Sequence, residues 1–164
     1  MRIKDIIRAK KTNIRWGDWS SGVKMPRTQF PLSKGSSFRV RSGYNWNVST
    51  FECLNQSFRL LVFYRMDKQE YGAWLGLIDG KDTKVIARLE FHAFHGGWHM
   101  HTNCETDDSP IGRTGGNSYM RIPKSHDQDR RSDFDVADNE KALYIAAKKY
   151  GLTGDNTGLF GHGH

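Results

Sequence analysis

The sequence predicts an α+β fold: a four-stranded antiparallel meander sheet with a C-terminal helix and a basic N-terminal arm. Three observations predict it. Between Gln56 and Cys104, apolar residues recur at every second position in four runs separated by turn residues. Towards the C-terminus the apolar spacing changes to that of a helix. Positive charge is gathered at the start of the chain: residues 1–42 carry eleven Lys and Arg against Asp5 and Asp18, a sum of +9, while the other 122 residues carry 14 basic and 16 acidic groups, so the +7 of the whole chain belongs to the arm.

The organisation follows as residues 1–42 for the arm, either part of the same domain or flexible, 43–152 for one α+β domain and 153–164 for a disordered Gly/His tail. In the arm, Ile3, Ile6 and Ile7 have helical spacing, with Asp5 near the start and Arg8, Lys10 and Lys11 later, which suits the helix dipole over about residues 3–11. Residues 17–37 are rich in Gly, Pro and Ser and read as loop.

In the sheet, Phe58, Leu60, Val62 and Tyr64 alternate along one face, then Tyr71, Ala73, Leu75 and Leu77, then Val85, Ala87, Leu89 and Phe91, then Trp98, Met100 and Thr102. Asp67-Lys68-Gln69-Glu70 and Asp79-Gly80-Lys81-Asp82 are the first two turns, and Gly96-Gly97 supplies the third as a two-residue hairpin. Residues 105–136 have no clear periodicity. A loop of that length signals either function or a missed element, and a short helix near 123–131 is the one suggested within it. Leu143, Ala146, Ala147 and Tyr150 then form one helical stripe, with Asp138 as N-cap, Lys148 and Lys149 at the end, and Gly151 as C′ residue.

No apolar run of about 18 residues is present, which argues against a membrane-spanning helix. With only Cys53 and Cys104 there is no disulfide framework or zinc-finger spacing, and together with the absence of a secretory h-region this suggests a reduced, cytoplasmic protein.

Four of the seven histidines, His92, His95, His99 and His101, lie within ten residues. With Gly96-Gly97 as the turn, His92 opposes His101 and Phe94 opposes His99. One face then carries Glu90, His92, Phe94, His99, His101 and Asn103. His95, Cys104 and the apolar Leu89, Phe91, Trp98 and Met100 go to the other. Extending the register puts Arg59, Arg65, Trp74, Lys84 and Arg88 with the histidines. Leu61, Phe63, Ile78 and Ile86 fall there too, so part of this face must be covered.

Three chemistries fit. The first is metal-free cleavage of RNA by a small, toxin-like ribonuclease, with His99 and His101 as acid and base, His92 or Glu90 orienting or replacing one of them, and Arg88 or Arg65 holding phosphate. It needs no cofactor. Arg8, Lys10, Lys11 and Arg15 of the arm, with Arg59 and Trp74, add affinity for the polyanion. The partner is then nucleic acid, with RNA favoured, and such an enzyme could take an acidic protein inhibitor; no membrane partner is expected.

The second is a divalent transition metal such as zinc, since His-x-His on a strand places both imidazoles on one face and His92 supplies a third nitrogen. Here His99-Met100-His101-Thr102-Asn103-Cys104-Glu105, followed by Gly112, resembles the first motif of the cupin family. That resemblance spans about 14 residues. It implies a jelly-roll barrel with metal on His99, His101 and Glu105, to which the hairpin geometry adds His92. The family's preceding glycine falls at Ala93, and its later G-x-x-H-x-x-x-N string has no counterpart. The third chemistry is a non-catalytic RNA- or DNA-binding module using Trp74 and the arginines.

Weaker signals are an anion-loop-like run from Arg113 to Ser118, the acidic set Asp127, Asp129, Asp133, Asp135 and Asp138, which lacks the glycine and terminal Glu of an EF-hand, and a Gly-His-Gly-His terminus able to bind metal adventitiously.

Overall fold

A computed structural model describes residues 2–32, 39–93, 97–102, 118–121 and 134–154. Helix α1 (Ile3–Arg8) leads to strands β1 (Thr12–Arg15) and β2 (Ser20–Ser21). The body follows as β3 (Asn45–Cys53), β4 (Gln56–Arg65), β5 (Glu70–Asp79), β6 (Asp82–His92), β7 (Gly97–Thr102), β8 (Ser118–Arg121) and helix α2 (Asn139–Lys149). The fold is thus mostly antiparallel sheet with few helices. The strands run in the order β1-β3-β4-β5-β6-β7-β8, and β2 also pairs with β3. The four expected strands are β4 to β7, the middle of a larger sheet. Chain neighbours are sheet neighbours throughout the body, so the arrangement is a meander and not the jelly roll that the cupin resemblance implied.

Strand β3 escapes the alternation test because its inward positions include Asn47 and Ser49, both buried. The Asn47 amide donates to Gly17 O, Ser49 Oγ donates to Asn47 Oδ1 and accepts from Gly17 N, so the pair satisfies a backbone segment crossing the sheet. Strand β8 is an element missed inside the long loop. The short helix suggested near 123–131 lies outside the described residues, as do the run from Arg113 to Asn117, Asp127, Asp129, Asp133, Cys104 and residues 155–164 of the tail. Of the acidic set, Asp138 caps α2 by accepting from Lys141 N at 2.7 Å, and Asp135 lies 3.7 Å from Lys141 Nζ.

Each face of the sheet has its own core. On one, Phe58, Leu60, Tyr71 and Leu89 pack against Leu143, Ala146 and Ala147 of α2 and Ile6 of α1. Two phenols lock helix to sheet: Tyr71 on β5 donates to Ala142 O of α2, and Tyr150 just after α2 donates to Ala73 O of β5, both at 2.8 Å. On the other face, Leu61 and Trp74 are covered by Met25, Phe30 and Val40 of the arm and by Trp46. Trp46 Nε1 donates to Val23 O, and Thr83 N donates to Pro31 O, which pins this cover down. Burying Met25 and Phe30 contributes roughly 1.5–3 kcal/mol each. The described arm is therefore part of both cores.

A β-bulge in β6 corrects one expectation. Leu75 pairs with Ala87 but Gly76 with Val85, leaving Ile86 as the extra residue. Beyond it the faces exchange: Val85 joins the arm-covered core, Ile86 packs with the α2 side, and Lys84 pairs with Leu77 instead of sharing the histidine face. No helix among the described residues is long and apolar enough to cross a membrane.

Candidate functional site

The histidine hairpin forms in a different register from the expected one. His92 pairs with Gly97, Glu90 with His99 and Arg88 with His101. The partner of His101 is therefore four residues further from the turn than expected. An even displacement keeps every side chain on its face. It also changes who meets whom: Glu90 moves to the centre of the cluster, and Arg88 takes the place opposite His101 that His92 was expected to hold.

The geometry centres on the two oxygens of Glu90. Oε2 faces His92 Nε2 and His99 Nε2 at 3.4 Å each and His101 Nε2 at 3.9 Å. Oε1 accepts the Trp74 indole N–H at 3.0 Å and lies 3.7 Å from Arg88 Nη1. Arg88 also sits over the Trp74 ring, 5.3 Å from its centroid. On the third strand, His99 Nδ1 lies 2.9 Å from Gly97 O. Since a carbonyl only accepts, Nδ1 carries a proton there, and Nε2 is the ring nitrogen that faces Glu90. Gly97 holds φ +78°, a conformation suited to glycine.

Arg88, Glu90 and His99 are buried, whereas the His92 side chain is 40% exposed. Burial alone would raise the Glu90 carboxyl. The contacts with His92 and His99 and the charge of Arg88 outweigh it and hold the group far below the usual carboxylate range. Contact with Glu90 raises His92, whereas burial and Arg88 lower His101. Burial also lowers Arg88, against the opposing pull of Glu90.

Ligand atoms offered by Glu90, His99 and His101 all lie within 4.8 Å of one another. Donors bound tetrahedrally at zinc distances stand about 3.4 Å apart, so these three residues could hold one ion after a small adjustment. Glu105, the carboxylate expected in the metal set, lies outside the described residues together with Asn103, Phe94 and His95. Within the described cluster the carboxylate is Glu90.

Beside the cluster a cavity of about 630 Å³ opens between sheet and arm. Arg88, Glu90 and His92 line it from the sheet, as do Phe63, Glu70 and Trp74. The arm and the segment after it contribute Lys24, Arg39, Val40, Arg41 and Tyr44. Phe63 meets Tyr44 and Trp74 edge to face, with centroids 6.0 and 6.1 Å away. Tyr44 donates its hydroxyl to Glu70, which pairs across the sheet with both Arg65 and His92.

The structure thus brings together His92, His99, His101, Glu90, Arg88 and Trp74. It does not bring the other basic candidates to the cavity lining. Arg59 donates to Asp82 O and Thr83 Oγ1. Arg65 is bound through two nitrogens to Asp67. Arg8, Lys10 and Arg15 are exposed on α1, the turn after it and β1. Lys11, expected to meet a polyanion, is buried instead; its ammonium donates to the carbonyls of Ile6, Ile7 and Ala9 at 2.5–2.9 Å and closes the end of α1. Sequence reasoning missed Lys24, Arg39, Arg41, Tyr44 and Glu70 as site residues. The first three were visible only as part of the arm's charge, because nothing in the sequence says which side of the sheet the arm crosses.

No family model, no curated protein and no solved structure matches the chain. Function is therefore argued from the geometry.

Proposed function

We propose that the protein binds a divalent transition metal such as zinc on Glu90, His99 and His101, with His92 beside it, and acts through that metal on an anionic substrate. The convergence of three imidazole Nε2 atoms on Glu90 Oε2 carries this reading. With the imidazoles neutral, as metal ligation requires, their lone pairs and the Glu90 carboxylate would all be acceptors that a cation could bridge. The supporting contacts are those of metal ligands: His99 is oriented through Nδ1 by a backbone carbonyl, and Glu90 through Oε1 by an indole N–H. Mixed imidazole and carboxylate donors suit zinc, iron, copper or nickel. Three protein ligands leave coordination positions open, as in catalytic sites, where the ion polarises a phosphoryl or carbonyl oxygen.

The test is metal analysis of the chain carrying His162→Ala and His164→Ala, which removes the terminal histidines. One equivalent of zinc or another first-row ion per chain is expected, with loss on His99→Ala or His101→Ala in protein that keeps its circular dichroism. Failure to bind any such ion stoichiometrically overturns the reading.

The second reading is metal-free cleavage of RNA by histidine acid/base chemistry. It is favoured by the position of His92, which lines a cationic cavity and touches Glu90. Cleavage of RNA that persists in excess EDTA and disappears with His92→Ala selects it over the metal.

A further inference from the structure

We infer that the cavity between the sheet and the arm is a binding site for a nucleoside phosphate, the phosphate held by Lys24, Arg39 and Arg41 and the base set against Tyr44 and Phe63. This goes beyond the metal reading and does not depend on it.

Three features select the ligand class. The first is charge. Lys24 comes from one segment of the arm and Arg39 and Arg41 from another, yet the fold gathers them on one cavity. Among the described residues no carboxylate forms an ion pair with any of the three. The acids in the lining are engaged elsewhere: Glu90 with Trp74, Arg88 and the histidines, and Glu70 with the Tyr44 hydroxyl. Three like charges converging on a concave surface attract a compact, multiply charged anion, and Arg offers a planar fork suited to phosphate oxygens.

The second is the wall. Tyr44, Phe63 and Trp74 form a continuous aromatic surface. Arg88 lies over one face of Trp74 and Arg65 over one face of Tyr44, 5.3 and 5.8 Å from the ring centroids, so a planar partner would be set against the remaining wall formed by Tyr44 and Phe63. Phe63 can lie flat only because Gly72 is beneath it: a Cβ on Gly72 would come within 2.2 Å of the ring. An inorganic anion has no use for this surface, and an uncharged aromatic molecule has none for the cations. Stacking on such rings is worth about 1–3 kcal/mol per base, so both halves matter to affinity.

The third is size and shape. A cavity of about 630 Å³ is in the range of small-molecule sites and admits a nucleotide with water around it. The ligand can be a free nucleotide or the terminal nucleotide of a chain, which share this chemistry.

The experiment is calorimetric titration of the full chain, in EDTA, with the four nucleoside 5′-monophosphates, adenosine, ribose 5-phosphate and inorganic phosphate. At least one monophosphate is expected to bind tenfold or more tightly than adenosine, ribose 5-phosphate and phosphate. Arg41→Ala and Lys24→Ala, both at exposed positions, should each weaken it at least fivefold, and Tyr44→Ala should weaken it more than Tyr44→Phe, which keeps the ring but frees Glu70. A 5′-phosphorylated tetranucleotide that matches the mononucleotide assigns the site to a chain end; weaker binding assigns it to the free nucleotide. Equal affinity for ribose 5-phosphate removes the role of the rings, equal affinity for adenosine removes that of the cations, and no binding removes the site; each overturns the inference. Because chelator is present throughout, these outcomes are separate from the fate of the metal reading.

Discussion

The Trp74 indole and the Glu90 carboxylate, on adjacent strands, share a 3.0 Å hydrogen bond that settles how the acid is used. One oxygen is tethered to the floor of the cavity, so the other is left to the histidines. Replacing Trp74 by Phe keeps an aromatic ring on the floor and removes only the donor. Affinity for the proposed metal should fall about 10- to 100-fold, the usual cost of losing an outer hydrogen bond to a ligand. Competition with a chromophoric chelator measures it. Unchanged affinity would show that the indole does not orient the carboxylate.

Lys11 separates a structural lysine from a nucleic-acid-binding one. Lys11→Met keeps the stem and deletes a buried ammonium that serves three carbonyls. A loss of about 2 kcal/mol in urea unfolding is expected from hydrogen bonds to a charged group. Affinity for RNA or nucleotide should not change beyond that loss, in contrast to Arg41→Ala.

Gly72 sits directly opposite both Phe63 and Glu90, on the two strands that flank β5. In Gly72→Ala the methyl meets the Phe63 ring, and either ring or strand must shift. Overpacking of this kind costs about 1–3 kcal/mol. The melting temperature should drop, and Phe63→Leu in the same chain should recover part of it. Additive destabilisation by the two changes would exclude the contact as the cause.

These contacts also mark where the sequence was readable. Strands β4 to β7 announce themselves by period-two alternation because each buries one face in the core that α2 shares. The face assignment of Glu90, His92, His99 and His101 needed only parity, and parity survives a displacement of two or four residues. Which of them touch is a matter of register, and register depended on the length of the turn before Gly97. Strand β3 hides its inward face behind Asn47 and Ser49, and the bulge at Ile86 has no sequence mark. The cavity joins residues of the arm to strands far along the chain, so its composition could be counted but not located.

Alkaline stability tests the Tyr44–Glu70 contact. Burial first, then the hydrogen bond and charge of Glu70, push the Tyr44 phenol up to about 12 from its ordinary 10.0. The folded chain keeps a proton that the unfolded chain releases near pH 10, so the contribution is complete below that pH and is lost as pH rises towards 12. Urea unfolding at pH 9, 10 and 11 should show stability falling with pH, and Tyr44→Phe should fall less steeply. Buried Tyr71 and Tyr150 are also raised and keep the slope from vanishing. Identical slopes in the two proteins would remove Tyr44 as a contributor.

The paired phenols between α2 and β5 bear on the order in which the chain assembles. The Tyr71 and Tyr150 bonds join positions 71 and 77 residues apart, while each body strand pairs with the next one along the chain. Short loops close at low entropic cost and long ones late. The hairpins bearing the histidines can therefore zip together before the helix docks, and the helix arrives as a clasp on a sheet whose register is already set. In pulse-labelled refolding, amides of β4 to β6 should gain protection ahead of those in α2. A nascent chain would hold its histidine hairpin in place while its apolar face still waits for the last elements to emerge.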